Sequence, residues 1–266
     1  MKYRKKCLIL LIAICAFNLV NAQNPKTDSL AKRHQEMMDI IMTKPKIKIK
    51  TIGIFVYDGF NTIDAVGPYQ VLSQLMGTKV FMVAKQKGFV RNQTGLKIQI
   101  DTSIQEVKQL DILLIPGGAK ETFLMTLDTA VLNWIKAIDK TSTYTTSVCT
   151  GAWILGATNL LQNRNATTNW YRAEEMLNRY GAHFKQERWV RDGKYWTSAG
   201  VTAGLDMSLA IVNEIMGEKY TKAVMLDLEY DPHPPYASGS VINTEPIVVD
   251  MMREMYDMVM LPLIKK

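Results

Sequence analysis

From residue 51 onward the apolar positions switch repeatedly between two periods. Residues 51–57 form a near-continuous apolar run, as expected of a strand buried on both faces. Residues 64–75 follow a helical spacing, with Gly67-Pro68 in the first turn. Strands are predicted at 79–84, 96–100, 111–115 and 144–148, and a helix at 150–161. Residues 190–197 carry Asp192-Gly193 at their centre, the signature of a tight hairpin. A long apolar helix over 201–216 has Val201, Leu205, Val212 and Met216 on one face, and a Met-rich helix over 246–261 closes the chain. Apolar strands alternating with helices predict an α/β fold, a parallel sheet between two helical layers.

The region before residue 51 reads differently. Leu30, Met37, Met38, Ile41 and Met42 recur at helical spacing, so a lead-in helix is expected over 28–42, ended by Pro45 and followed by a basic stretch at 46–50. Lys2, Arg4, Lys5 and Lys6 precede an apolar run from Cys7 to Val20, with small residues up to Ala22, the pattern of an export signal. Cleavage near Ala22 would leave a periplasmic protein. The run is short for a membrane span and no later one approaches 18 apolar residues, so none is expected. The expected organisation is a signal at 1–22, a lead-in at 23–50, a main domain at 51–240, and a last helix at 241–266 packed on it.

Removing the signal lowers the formal charge from +7 to +3, because its four basic residues have no acidic counterparts. Nucleic acid is therefore not an expected partner. Cys7 and Cys15 leave with the signal, so Cys149 remains without a disulfide partner. His34, His183 and His233 lack metal-ligand spacing, and no phosphate or dinucleotide loop is present. No metal or cofactor is expected.

Cys149 lies where an apolar strand turns into a helix that opens with Thr150-Gly151-Ala152. A residue there is held in a sharp bend at the carboxyl end of the sheet, a nucleophile elbow. The helix end favours a thiolate, whereas an anionic Asp64 nearby would disfavour it. Pro116-Gly117-Gly118 ends another strand; with the Thr150 amide, the Gly117 and Gly118 amides form a candidate oxyanion hole. Asp64 is either a helix cap or an acid–base group. Phe60, Asn169 and Trp170 are candidate pocket residues.

These pieces resemble the ThiJ/PfpI family of the class I glutamine amidotransferase-like superfamily. The shared stretches include Ile52-Gly-Ile-Phe55 with Asp64 and Gly67-Pro68, Asp111 to Gly118, and Thr146-Ser-Val-Cys-Thr-Gly151. They continue through Ala166-Thr-Thr168 with Trp170, Val190-Arg-Asp-Gly193, Thr197 to Asp206, and Leu228-Glu-Tyr230 with Pro234-Pro235. The last stretch points toward the isonitrile hydratases of the family. The resemblance implies a flavodoxin-like sandwich, a homodimer and a small-molecule substrate, an isonitrile, hydrated to an N-substituted formamide through a thioimidate. It makes Cys149 the nucleophile, Asp64 its acidic partner, and Thr150 the residue associated with hydratase activity; Gly118 and Thr150 would place amides near the sulfur. Asn169 stands where the family commonly has His. The competing expectations are a non-catalytic ligand-binding or thiol-sensing protein and a cysteine hydrolase or deglycase. The chain ends about one helix past the domain, so no DNA-binding unit is expected. The lack of His after Cys149 weakens the hydrolase reading.

Overall fold

A computed structural model describes residues 25–42 and 44–265. The expected signal at 1–22 lies outside the described residues. Two compact units meet at the boundary between Lys44 and Pro45. The first contains α1 (Pro25–Ile41), which begins three residues earlier than the apolar spacing indicates.

The second unit is built on six strands: β1 (Thr51–Phe55), β2 (Lys79–Val83), β5 (Ile112–Ile115), β6 (Tyr144–Val148), β9 (Trp189–Asp192) and β10 (Tyr195–Ser198). Their order is β2-β1-β5-β6-β10-β9; all neighbours are parallel except the β9–β10 hairpin, which turns at Gly193 with φ +62°. Every residue of β5 is buried, which accounts for its unbroken apolar run. The helices α2 (Thr62–Leu72), α3 (Lys120–Met125), α4 (Thr129–Asp139), α5 (Gly151–Ala157), α6 (Ala173–Arg179), α7 (Ala203–Met216), α8 (Glu218–Asp227) and α9 (Pro246–Ile264) complete a flavodoxin-like α/β sandwich.

Several boundaries differ from the sequence reading. Helix α2 starts at Thr62, so Pro68 lies inside the helix rather than in its first turn. Helix α5 stops at Ala157, and Asn159 then takes a left-handed conformation with φ 65°, a common helix stop. The strand expected near residue 96, β4 (Lys97–Ile100), lies outside the main sheet; it pairs antiparallel with β3 (Gly88–Arg91). A further small parallel pair joins β7 (Asn165–Ala166) to β8 (His183–Phe184).

Strand β6 is fully buried although it reads Tyr-Thr-Thr-Ser-Val. Burying hydroxyls requires partners. Thr146 donates to the Leu113 carbonyl at 3.0 Å, and Thr145 donates to the Asp139 carboxylate at 2.7 Å. That carboxylate also accepts the Tyr195 hydroxyl at 3.2 Å and lies 3.1 Å from the Lys194 ammonium. Asp139 thus ties the end of α4 to both β6 and β10. Replacement by Ala strips three groups of their acceptor, and Asp139→Ala is expected to cost about 3 kcal/mol of folding stability. Urea unfolding reads the loss; a change below about 1 kcal/mol would mean that water replaces the carboxylate.

Candidate functional site

Three chain crossings converge at the carboxyl ends of β1, β5 and β6. Cys149 follows β6 directly and has φ 58°, the strained turn expected of an elbow. Its amide donates to the carbonyls of Ser198 and Ala199 at 3.1 and 3.2 Å, pinning the elbow to the end of β10. Thr168 donates its hydroxyl to the Cys149 carbonyl at 2.8 Å. The glycine after the elbow is obligatory, because a Cβ on Gly151 would stand 2.1 Å from the Ile115 carbonyl oxygen.

The thiol is less open than an elbow at a strand end suggests: Cys149 is only 4% exposed. Burial pushes its pKa well up, and the Asp64 charge pushes it further. The amides of Thr150 and Val201 and the Asn169 side chain oppose that shift by hydrogen bonding to the sulfur. The helix end therefore does not leave a resting thiolate.

Asp64 does not cap α2. That role belongs to Asn61, whose side chain accepts the Ile63 amide at 3.2 Å. Asp64 sits one turn further in, with no exposed surface. Its Oδ2 accepts the Gly117 amide at 3.0 Å, and its Oδ1 meets no N–H or O–H donor. The Cys149 thiol is its side-chain partner. Burial raises the Asp64 pKa to about 7, against the lowering effects of the Gly117 amide and the thiol.

The expected oxyanion hole is only partly present. The Gly117 amide is committed to Asp64, and the Gly118 amide donates to Thr150 Oγ1 at 3.0 Å. Thr150 Oγ1 in turn donates to the Gly118 carbonyl at 2.8 Å. The amides at the sulfur are those of Thr150 and Val201, so Gly117 and Gly118 position other groups instead. A side chain at Gly117 is excluded, since its Cβ would lie 2.6 Å from the Thr150 nitrogen and 3.0 Å from Asp64 Oδ2. The Thr150 side chain braces this turn rather than facing the thiol. Tyr57 adds to the brace, donating to the Pro116 carbonyl at 3.0 Å with its oxygen 2.7 Å from Thr122 Oγ1.

Of the candidate pocket residues, Phe60 is fully buried and bridges Gly118 as core. Asn169 does reach the sulfur, and its Oδ1 accepts the Tyr171 amide at 3.0 Å. Trp170 is half-buried and lines a cavity of about 150 Å³ with Val248, Val249 and Met252 of α9. Two site residues had no role in the sequence reading. Val201, with φ 28°, follows β10 and presents its amide to the sulfur. Tyr256 of α9 packs edge-on against Trp170, with ring centroids 5.8 Å apart. The Gly200-x-Thr-Ala-Gly-x-Asp206 pattern marked the first stretch; nothing local marked Tyr256. Among the described residues no group of His, Cys, Asp and Glu could hold a metal ion. No described helix is long and apolar enough to cross a membrane.

Comparison with known proteins finds the same architecture and chemistry-bearing region. Isonitrile hydratase of Pseudomonas putida is 38% identical over 203 residues, 76% of this chain and 88% of that protein. The HTH-type transcriptional regulator CdhR of Pseudomonas aeruginosa is 25% identical over 158 residues, but the match spans only 46% of that protein. A solved ThiJ/PfpI family protein from Pseudomonas syringae is 35% identical with a TM-score of 0.76, covering 79% of this chain and 86% of its own. Drosophila melanogaster DJ-1beta, at 19% identity and a TM-score of 0.60 over 68% of this chain and 98% of its own, shares the fold. The DJ-1/PfpI family profile matches residues 50–214, a span that begins just before β1, contains Asp64 and Cys149 and ends within α7. With the elbow, the buried acid and the sheet order falling inside that span, the chain belongs to the DJ-1/PfpI family.

Proposed function

We propose that the protein hydrates an isonitrile to an N-substituted formamide, with Cys149 as covalent nucleophile. The observation that carries this reading is the pairing of the Cys149 thiol with a buried Asp64 carboxyl. Similarity to the P. putida isonitrile hydratase supports the substrate class.

The terminal carbon of an isonitrile must gain a proton and a nucleophile. A pair holding one proton, Asp64-COOH beside a Cys149 thiolate or its tautomer, supplies both. Asp64 delivers the proton to the carbon while the sulfur bonds to it, giving R–N=CH–S–Cys149. Burial that disfavours a free thiolate makes concerted transfer the favoured route, and the Thr150 and Val201 amides steady the sulfur as charge develops. Ionised Asp64 then takes a proton from water as its oxygen adds to the thioimidate carbon. Collapse of the adduct forms the formamide, breaks the C–S bond and returns the proton to the pair. Asn169 holds the thiol in line in place of the histidine of other relatives. Among the groups that hydrogen bond to the sulfur there is no histidine, which disfavours the hydrolase alternative.

The one-proton form predominates once pH exceeds the Asp64 pKa of about 7. Below that pH both groups are protonated and the nucleophile is lost. The kcat/KM for an alkyl isonitrile is therefore expected to rise tenfold per pH unit below about 6 and level off above about 8. Loss of the isonitrile stretch and appearance of the formamide measure the rate. A profile that falls with pH through this range would reverse the assigned proton roles, and no turnover at any pH would end the hydratase reading.

Export and a homodimer belong to the same reading. Exposed Ile247, Met251 and Met258 on α9 support a second copy as a neighbour. Intact mass of the isolated protein reads signal removal, and light scattering reads the dimer.

A further inference from the structure

The cavity beside the site is bounded by Trp170 on one side and by Val241, Thr244, Val248, Val249 and Met252 on the other. Its walls are mostly apolar, and it lies next to the thiol in the chain: Asn169 hydrogen bonds to Cys149, and Trp170 is the following residue. Helix α9 closes the same route. Met252 stands one turn before Tyr256, whose ring packs on Trp170 at 5.8 Å and on Tyr171 at 5.2 Å. The helix is held there by Asp257, which accepts the Tyr171 hydroxyl at 2.7 Å and the Arg172 Nε at 3.0 Å. Arg179 further binds the Ile264 carbonyl at 2.8 Å. The wall opposite Trp170 is thus fixed to the loop that orients Asn169.

We propose that this cavity is the subsite for the N-substituent of the substrate and that α9 sets its size, selecting a compact six-carbon ring or a branched alkyl group over a methyl group. The proposal rests on the hydratase reading for the reacting end of the molecule. The physical basis is volume and polarity. An apolar cavity of about 150 Å³ is large enough to take a benzene-sized ring, and this one has about that volume. No charged side chain is among its lining residues, so an ammonium or carboxylate substituent would be desolvated without a partner. A methyl substituent leaves most of the space unfilled. Met252 lets the inner wall adjust to ring shape.

Val248 is 41% exposed, so its side chain can be enlarged or trimmed without disturbing a packed core. The quantity to measure is the ratio of kcat/KM for cyclohexyl isonitrile to that for methyl isonitrile. Val248→Trp fills the cavity and is expected to lower that ratio by at least about tenfold; the scale is set by the ~10–200-fold discrimination attached to one methylene in an apolar pocket. Val248→Ala enlarges it and is expected to raise turnover of a naphthyl isonitrile relative to the cyclohexyl compound. Ratios within twofold of wild type in both variants would overturn the subsite. If wild type turns over neither isonitrile, the hydratase reading fails separately. The cavity is then judged by the rate at which N-benzyl and N-methyl iodoacetamide alkylate Cys149. A benzyl-to-methyl ratio that drops at least fivefold in Val248→Trp upholds an apolar subsite beside the sulfur; an unchanged ratio overturns it.

Discussion

Cys149→Ala is expected to lower isonitrile hydration by at least ~10⁴-fold, the scale on which removal of a covalent nucleophile acts. The position itself tolerates the change, since Ala meets the same left-handed backbone requirement that Cys149 already satisfies at φ 58°. The fold should therefore survive and the loss should fall on kcat. Asp64 would remain buried and would lose the thiol that helps to lower its pKa, so it would stay protonated to still higher pH. Mass spectrometry during turnover should show a substrate-sized adduct on wild type and none on the variant. Activity within tenfold of wild type would remove the covalent step and leave direct attack of water activated by Asp64.

Asp64→Asn separates stability from activity. Burial favours the neutral acid, so the folded protein binds this proton more tightly than the unfolded chain does. The stability so contributed is complete below the ordinary carboxylate range and is lost as pH rises through about 7. Asn is neutral throughout and can still accept the Gly117 amide. The variant's stability relative to wild type is therefore expected to grow by ~3 kcal/mol between pH 5 and pH 8.5, since each tenfold difference in proton affinity between the folded and unfolded chain is worth ~1.4 kcal/mol. Hydration should meanwhile fall by ~10²–10⁴-fold, because Asn neither delivers nor takes a proton. Urea unfolding at the two pH values and turnover of one isonitrile test both halves. A wild-type protein that gains stability over Asp64→Asn on going to pH 8.5 would mean that the carboxylate is held charged, contrary to its burial. The unsatisfied Oδ1 fits the interpretation that Asp64 is retained for chemistry at the expense of stability.

Legibility in the sequence followed length and periodicity. The apolar runs at β1 and β5 announced themselves, as did the Asp192-Gly193 hairpin and α7. Helix α4 is also written in the chain, although the apolar runs on either side of it draw the eye first. Asp128 caps it by accepting the Ala130 and Val131 amides, and Val131, Trp134, Ile135 and Ile138 mark its buried face. The pairs β3–β4 and β7–β8 are different. Strands of two to four residues carry too few positions for a period to show, and their pairing is set by what lies across from them.

Taken by itself, the sequence determined the alternating α/β order, the family, the elbow at Cys149 and the presence of Asp64 near its start. These are local or motif-level properties, fixed by side-chain periodicity and by residues that turns require. Tertiary structure alone decided which polar groups face the sulfur. The amides of Gly117 and Gly118 look available in a Pro-Gly-Gly turn, yet packing against α2 and Thr150 commits both elsewhere. Val201 enters the site only because β10 lies beside β6, and Tyr256 only because α9 folds back over Trp170. The thiol's proton affinity belongs to the same class. Desolvation and the charge of a residue 85 positions away in the chain outweigh the helix end that adjoins it, because electrostatic energy depends on distance and dielectric surroundings, and neither is a property of sequence separation.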